Sequence, residues 1–135
     1  MKEKQLQDIT ALYGRLSRDD EVGGESMSIQ SQRAILGQYA KEHGFTNCRF
    51  FMDDGYSGTN FDRPAFTEMM ELVEQRRVRT IIVKDLSRLG RNYLEVGRYT
   101  EVIFPENKVR FIAITDGVDS AAGDNEFAPL KNIIN

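Results

Sequence analysis

Short runs of hydrophobic, β-branched residues recur along the chain and predict four strands. These runs lie at residues 9–13, 48–52, 80–83 and 109–114. The third is apolar throughout except for Thr80, as expected of a strand that is buried on both faces of a parallel sheet. A turn at Asp116-Gly117 is predicted to follow the fourth.

Between the strands, hydrophobic positions recur at helical spacing and predict three helices. The first begins after Ser26 or Ser28 and ends at His43-Gly44. The second begins at the Asp62-Arg63-Pro64 signal, and the third runs from about Asn92 to Pro105. Their inward positions are Ile29, Ile35, Leu36, Tyr39 and Ala40, then Phe66, Met69, Met70 and Val73, then Val96, Tyr99 and Ile103.

Strands that alternate with helices form right-handed βαβ units, so the predicted fold class is α/β, with a mostly parallel β-sheet flanked by helices on both faces. Ligands of such sheets bind beyond the carboxyl ends of the strands. The polar segments 15–20, 53–60 and 84–92 follow the first three strands and fall on that edge. The pattern therefore predicts one site there.

Charge is distributed unevenly along this chain of 135 residues, whose length suits one domain. The net charge is −3, yet residues 76–91 contain six basic residues and one acid. This local basic cluster indicates an anionic ligand in spite of the acidic sum. The single cysteine, Cys48, excludes an intrachain disulfide and is expected to be buried. No hydrophobic stretch is long enough to span a membrane, so a cytoplasmic protein is expected.

Arginines close to serines suggest phosphoryl transfer. Arg binds phosphate oxygens in a bidentate manner and keeps its charge, and a nearby hydroxyl can act as a nucleophile. Two serines fit that role, Ser17 and Ser87, and the residues alone do not rank them. A serine followed by acids is also typical of an ordinary turn or helix cap. Arg88 and Arg91 precede a predicted helix, and cations near a helix N-terminus oppose its dipole. A bound anion there would offset this unfavourable charge arrangement.

Four motifs together resemble the catalytic domain of the serine recombinases, the resolvases and invertases. They are Tyr13-Gly14-Arg15-Leu16-Ser17, Ser28-Ile29-Gln30-Ser31-Gln32-Arg33, Asp54-Gly55-Tyr56-Ser57-Gly58 with Asp62-Arg63, and Leu86-Ser87-Arg88-Leu89-Gly90-Arg91. The resemblance runs from about Ile9 to Ser120. It is closest to the large serine recombinases of mobile elements.

The resemblance implies a site-specific DNA recombinase in which Ser17 attacks the scissile phosphate to form a 5′-phosphoserine bond. It also implies that the phosphate is surrounded by Arg15, Arg63, Arg88 and Arg91. The supporting residues would be Tyr13, Gln32, Asp54, Ser57 and Ser87. Ser87 stands where many members of the family have an aspartate. No metal and no other cofactor is implied.

The resemblance also implies partners and domain limits. Residues 1–120 would be the catalytic domain, and residues 121–135 a linker and the beginning of a truncated interface helix. The complete protein would bind double-stranded DNA as a homodimer that assembles into a tetramer. The isolated fragment is expected to be inactive and to bind DNA weakly, because phosphate contacts elsewhere would provide most of the affinity.

Two alternatives from other classes stay open. Asp53 and Asp54 with Lys84 are compatible with a magnesium-dependent phosphoryl-transfer or receiver-like domain. Acid pairs of that kind should follow the first strand, which here leads into Arg15-Leu16-Ser17. A non-catalytic oligomerisation module is the other alternative.

Overall fold

A five-stranded sheet forms the centre of the protein, whose computed structural model describes residues 8–16 and 28–122. The strands are β1 (Ile9–Leu16), β2 (Cys48–Asp54), β3 (Val78–Val83), β4 (Arg110–Ala113) and β5 (Val118–Asp119). Their order across the sheet is β2-β1-β3-β4-β5. All neighbours are parallel except β5, which runs antiparallel to β4. The four predicted strands are confirmed; the short β5 was not predicted.

The helices lie between the strands as the periodicity predicts. They are α1 (Ile29–Glu42), α2 (Pro64–Glu74), the single turn α3 (Leu86–Leu89), α4 (Tyr93–Arg98) and α5 (Phe104–Glu106), with a π-helical stretch at Tyr99–Ile103 that joins α4 to α5. Ser28 caps α1, because its Oγ accepts a hydrogen bond of 3.0 Å from the amide of Ser31. Gly44 follows α1 with a φ of 76°, a left-handed conformation that glycine adopts without strain.

Hydrophobic side chains cover both faces of the sheet, as expected for the α/β class. On one face Leu12 and Ile82 pack against Leu36 and Ala40 of α1. On the other face the cluster is larger and includes Tyr13, Phe66, Met69, Val73, Val96, Phe104 and Phe111. The sheet is therefore enclosed between α1 and the remaining helices, and its carboxyl edge is the part left for polar side chains.

One boundary prediction and one burial prediction were wrong. β1 continues to Leu16, three residues beyond its predicted end, because the polar side chain of Arg15 near that end is fully buried by contacts described below. The last helical stretch ends at Glu106, within one residue of the predicted stop at Pro105, which lies in the first turn of α5, where proline is tolerated. Cys48 is exposed, because it begins β2 at the edge of the sheet.

Two predicted features lie outside the described residues. They are the loop that contains Ser17 and the helix expected near the end of the chain. Within residues 8–16 and 28–122, no helix has the length and hydrophobicity needed to cross a membrane.

We expect Ile82→Ala to lower the free energy of unfolding by about 2–5 kcal/mol in urea titrations. Ile82 is fully buried in β3 between two parallel neighbours, so truncation leaves a cavity that α1 cannot fill. Val102→Ala is the matched control, because Val102 is 47% exposed and should cost less than about 0.5 kcal/mol. Equal losses in the two variants would contradict the assignment of the core.

Candidate active site

The carboxyl end of β1 is fixed by a side chain from α1. Oε1 of Gln32 accepts a hydrogen bond of 3.1 Å from the amide of Arg15, and its Nε2 donates one of 3.0 Å to the carbonyl of Arg15. Both residues are fully buried. Gln32, a predicted supporting residue, thus holds the backbone two residues before Ser17.

The guanidinium of Arg15 crosses from β1 to the segments that follow β2 and β3. It donates from Nη2 to the carbonyl of Ser87 at 2.6 Å and from Nε to that of Arg88 at 3.3 Å. It also donates from Nη1 to the carbonyl of Tyr56 at 3.2 Å. One side chain therefore joins the three polar segments that the topology predicts at this edge.

Arg63, which precedes α2, approaches the same helical turn from another direction. Its Nη2 donates to the carbonyl of Leu89 at 2.6 Å, and its Nη1 donates to that of Arg88 at 3.2 Å. The guanidinium also lies 4.6 Å from the ring centre of Phe61 and 5.0 Å from that of Phe66. These aromatic faces and carbonyl oxygens offset the cost of burying the charge.

The single-turn helix α3 explains why two arginines converge there. A helix leaves its last four carbonyls without intrahelical partners, and its negative end attracts cations. In α3 the carbonyl of Leu86 accepts from the amide of Gly90 at 3.2 Å, and Arg15 and Arg63 bind the other three. At its other end, Oδ2 of Asp116 accepts from the amide of Leu86 at 2.7 Å.

A buried carboxylate, that of Asp53, connects Arg63 to the start of α2. Oδ2 of Asp53 accepts hydrogen bonds from the hydroxyl of Tyr13 at 2.8 Å and from the amide of Phe66 at 3.0 Å, and Oδ1 accepts from that of Ala65 at 2.9 Å. The hydroxyl of Tyr13 in turn accepts from Nη1 of Arg63 at 2.9 Å. Burial raises the pKa of Tyr13 well above its usual value, so the phenol stays protonated and can donate to Asp53.

The predicted supporting residue Asp54 is exposed, and the buried contacts belong to its neighbour Asp53. With three donors already on its oxygens, Asp53 is poorly suited to the magnesium site considered above. Among the described residues, no group of three His, Cys, Asp or Glu side chains is arranged to hold a metal ion. The two adjacent acids thus have different environments, and the buried Asp53 stabilises the fold by joining β1 to the start of α2.

The remaining predicted arginines lie beside the first two. Arg88 is 6% exposed, and its Nη1 donates to the carbonyl of Arg15 at 3.0 Å. Arg91 is exposed, and its amide donates to the carbonyl of Gly58 at 2.8 Å. A Cβ on Gly58 would lie 2.7 Å from Nη2 of Arg15 and 3.0 Å from Cγ of Arg91, so only glycine fits between these two arginines.

The serines have different positions. Ser57 stabilises the turn before Gly58, because its Oγ accepts from the amide of Thr59 at 3.0 Å. The Oγ of Ser87 donates a hydrogen bond to Oδ1 of Asp85. Ser17 lies outside the described residues and follows Leu16 directly in the chain. All the predicted site residues except Ser17 and the exposed Asp54 are therefore found in contacts at this edge.

Sequence reasoning considered Asp53 only as a possible metal ligand and gave no role to Asp85 or to Gly58. The alternation of β2 was a usable signal for Asp53, because Phe51 and Asp53 share the inward parity while Asp54 has the outward one. Nothing in the local sequence signals that Gly58 lies between two guanidiniums, since that contact is made by residues far apart in the chain.

Comparison with known proteins agrees with this architecture. The family model described as "Resolvase, N terminal domain" matches residues 10–133. The crystal structure of the N-terminal catalytic domain of TP901-1 integrase is similar, with a TM-score of 0.79 and 26% identity over 93% of each chain. A resolvase family site-specific recombinase from Streptococcus pneumoniae has a TM-score of 0.73 and 26% identity, over 94% of this chain and 85% of that one.

A shorter similarity is to the uncharacterized immunity region protein 3 of Bacillus phage phi105. It is 30% identical over 64 residues, which are 47% of this chain and 77% of that protein. The fold and the arginine-rich edge define a catalytic domain of the serine recombinase class. The chain belongs to the resolvase family, in the part that forms the family's N-terminal domain.

We expect Asp53→Asn to lower the free energy of unfolding by about 1–3 kcal/mol, because an amide nitrogen would then face buried donors. Asp54→Asn is the matched control. It makes the same chemical change one residue away at an exposed position and should alter stability by less than about 0.5 kcal/mol. Urea unfolding of both variants checks this, and a larger loss for Asp54→Asn would refute the role of Asp53.

Proposed function

We propose that this domain breaks and rejoins DNA by using Ser17 as the nucleophile. The family membership makes the chain a catalytic domain of a site-specific recombinase, and the role of Ser17 is our inference. The observation that carries it is the convergence of Arg15, Arg63, Arg88 and Arg91 on one edge of the sheet, where β1 leads into Ser17.

In the proposed reaction, Oγ of Ser17 forms a bond to the scissile phosphorus, and the bond from phosphorus to the 3′ oxygen breaks. The proton leaves Oγ, and the 3′ oxygen gains a proton, so a free 3′-hydroxyl and a 5′-phosphoserine result. One phosphoester replaces another, and the reverse attack by a 3′-hydroxyl of the exchanged strand restores DNA. This exchange needs no external energy and, as proposed, no metal or other cofactor.

The charge at the edge suits a phosphodiester. Four arginines meet there. Within residues 8–16 and 28–122, Asp85 forms an ion pair with Arg88, and Asp53 is joined to Arg63 through the hydroxyl of Tyr13. An excess of fixed guanidinium charge stabilises the additional negative charge that develops on phosphate oxygens in the transition state. This local excess supports an anionic substrate even though the chain is acidic overall.

The contacts also support a division of roles among the arginines. Arg15 and Arg63 are fully buried, and both donate hydrogen bonds to backbone carbonyls. These contacts suit them to hold the edge of the sheet together. Arg91 is exposed beside them and is best placed to meet DNA. Arg88 lies between these groups and is nearly buried. We propose that Arg91 makes the first phosphate contact and that Arg88 acts next to it.

The contact made by Ser87 favours Ser17 as the nucleophile. The hydroxyl of Ser87 donates to Asp85, whose position between cations makes its carboxylate a weak base. A nucleophile needs a base that accepts its proton readily. Ser87 is therefore better suited to a supporting role, which is the role the sequence resemblance implies for it.

We further propose that the complete protein acts in the cytoplasm on double-stranded DNA as a dimer that pairs into a tetramer. Cleavage of both strands at two sites requires four serines, and each chain supplies one. The isolated domain would then bind DNA weakly and would not cleave it. A module that served only oligomerisation would not need the buried arginine contacts at this edge, so these contacts favour the catalytic function.

The full-length protein that contains this domain tests the proposal on DNA spanning the ends of the element that encodes it. Denaturing gels detect a covalent protein–DNA adduct, and peptide mass spectrometry locates it. We expect the adduct on Ser17, its loss in Ser17→Ala and its retention in Ser87→Ala.

The two serine variants serve as matched controls for each other, because each removes one hydroxyl from one of the two serines that the sequence offers as nucleophile. An adduct on Ser87 would leave the class of reaction intact and show that the nucleophile is misassigned. Recombined DNA without any adduct would reject the covalent mechanism. Activation by added Mg²⁺ that depends on Asp53 would favour the metal-dependent alternative.

A further inference from the structure

The carboxylate of Asp85 is half-buried, and its side-chain contacts described here are with residues of the segment 84–88. Its Oδ1 accepts a hydrogen bond from Oγ of Ser87. Its Oδ2 lies 3.2 Å from Nζ of Lys84 and 3.7 Å from Nε of Arg88. One carboxylate thus contacts a hydroxyl and two cations at the beginning of α3.

This carboxylate borders open space at the candidate site. A cavity of about 500 Å³ is lined by Asp85, Ser87 and Arg91, together with Leu86, Tyr93 and Asp116. Asp85 and Ser87 therefore share a cavity wall with the exposed arginine that we propose to meet DNA. A carboxylate that served only the packing of the sheet would not need this position.

The charge of Asp85 persists at neutral pH. Burial by itself would raise the pKa of this carboxyl, but the hydrogen bond from Ser87 and the charges of Arg88 and Lys84 outweigh it and hold the pKa below its usual range. The group is therefore an acceptor and a fixed negative charge during the reaction. It is not suited to donate a proton.

Two contacts of Arg88 bear on its position at this edge. Its Nη1 donates to the carbonyl of Arg15, and its Nε faces Oδ2 of Asp85. The 3.7 Å from Nε to Oδ2 is an ion-pair distance longer than a hydrogen bond, so the carboxylate acts on this side of the guanidinium by charge attraction. Of these two contacts, the one with Asp85 comes from the same segment as Ser87.

We propose that Asp85 is a positioning residue for DNA cleavage, an inference that rests on the proposed function. Its Oδ2 orients Arg88 by charge at the edge of the cavity, and the hydroxyl of Ser87 holds the same carboxylate through Oδ1. The hydroxyl of Ser87 is neutral and supplies no negative charge of its own. The negative charge is instead that of Asp85, two residues earlier, whose carboxylate accepts a hydrogen bond from the hydroxyl of Ser87. The carboxylate function of this segment is thus divided between Asp85 and Ser87.

Moving the charge from one position to the other tests this division in the full-length protein. The rate of adduct formation is measured for wild type, Asp85→Asn, Ser87→Asp and the double variant Asp85→Asn/Ser87→Asp. We expect Asp85→Asn to slow the reaction by about tenfold to a hundredfold, the loss typical of a misplaced charge-stabilising group. Ser87→Asp alone is also expected to slow it, because it sets two carboxylates side by side.

The rate of adduct formation of the double variant decides between the two explanations. It has one carboxylate again, now at position 87, and we expect it to regain most of the rate that Asp85→Asn loses. A merely structural ion pair would give the opposite result, since two substitutions at one contact would add their damage. A double variant as slow as Asp85→Asn, or an Asp85→Asn variant as fast as wild type, would overturn the inference.

Controls separate this inference from the proposed function. Absence of an adduct in wild type would reject the function itself, whereas a wild-type adduct unaffected by Asp85→Asn rejects only the role of Asp85. Asp119→Asn is the matched acid control, because it breaks the 2.7 Å ion pair with Arg110 without touching this segment and should leave the rate unchanged. If Asp85→Asn alone fails to fold in thermal unfolding, a double variant slower than Ser87→Asp would still overturn the inference.

Discussion

The hydrogen bonds from two buried guanidiniums to the carbonyl end of a single-turn helix are the contact on which the site depends. Arg15 comes from β1 and Arg63 from the start of α2, and both donate to the carbonyl of Arg88. A helix of four residues is too short to be stable by itself. Its geometry is therefore imposed by these arginines, and the segment that carries Ser87, Arg88 and Arg91 takes its shape from them.

This arrangement connects the burial of charge with function. Buried cations are costly unless they are paired, and here carbonyl dipoles, aromatic faces and the Tyr13–Asp53 contact stabilise them. The same contacts hold the segment from which Arg88, in α3, and Arg91, two residues after it, project. A catalyst for phosphate chemistry gains from such preorganisation, because charges already in position need no rearrangement in the transition state.

Much of this could be predicted from the sequence, because strands and helices follow local periodicity. The placement of the site at one sheet edge followed from the parallel topology. What could not be predicted depends on contacts between distant residues: Arg15 extends β1 because its guanidinium finds carbonyls beyond β3, and Gly58 is required because two arginines flank it. The choice between Asp53 and Asp54 was available from strand parity, whereas the family motif drew attention to the exposed Asp54.

Hydrogen–deuterium exchange of Arg63→Lys tests most directly whether the guanidinium contacts hold the site together. A lysine keeps the charge but has no planar fork, so it cannot bind the carbonyls of Arg88 and Leu89 while also donating to Tyr13. The account predicts faster exchange of amides 86–91, with unchanged exchange in α1, which lies on the opposite face of the sheet. Unchanged exchange at 86–91 in a folded Arg63→Lys protein would contradict it.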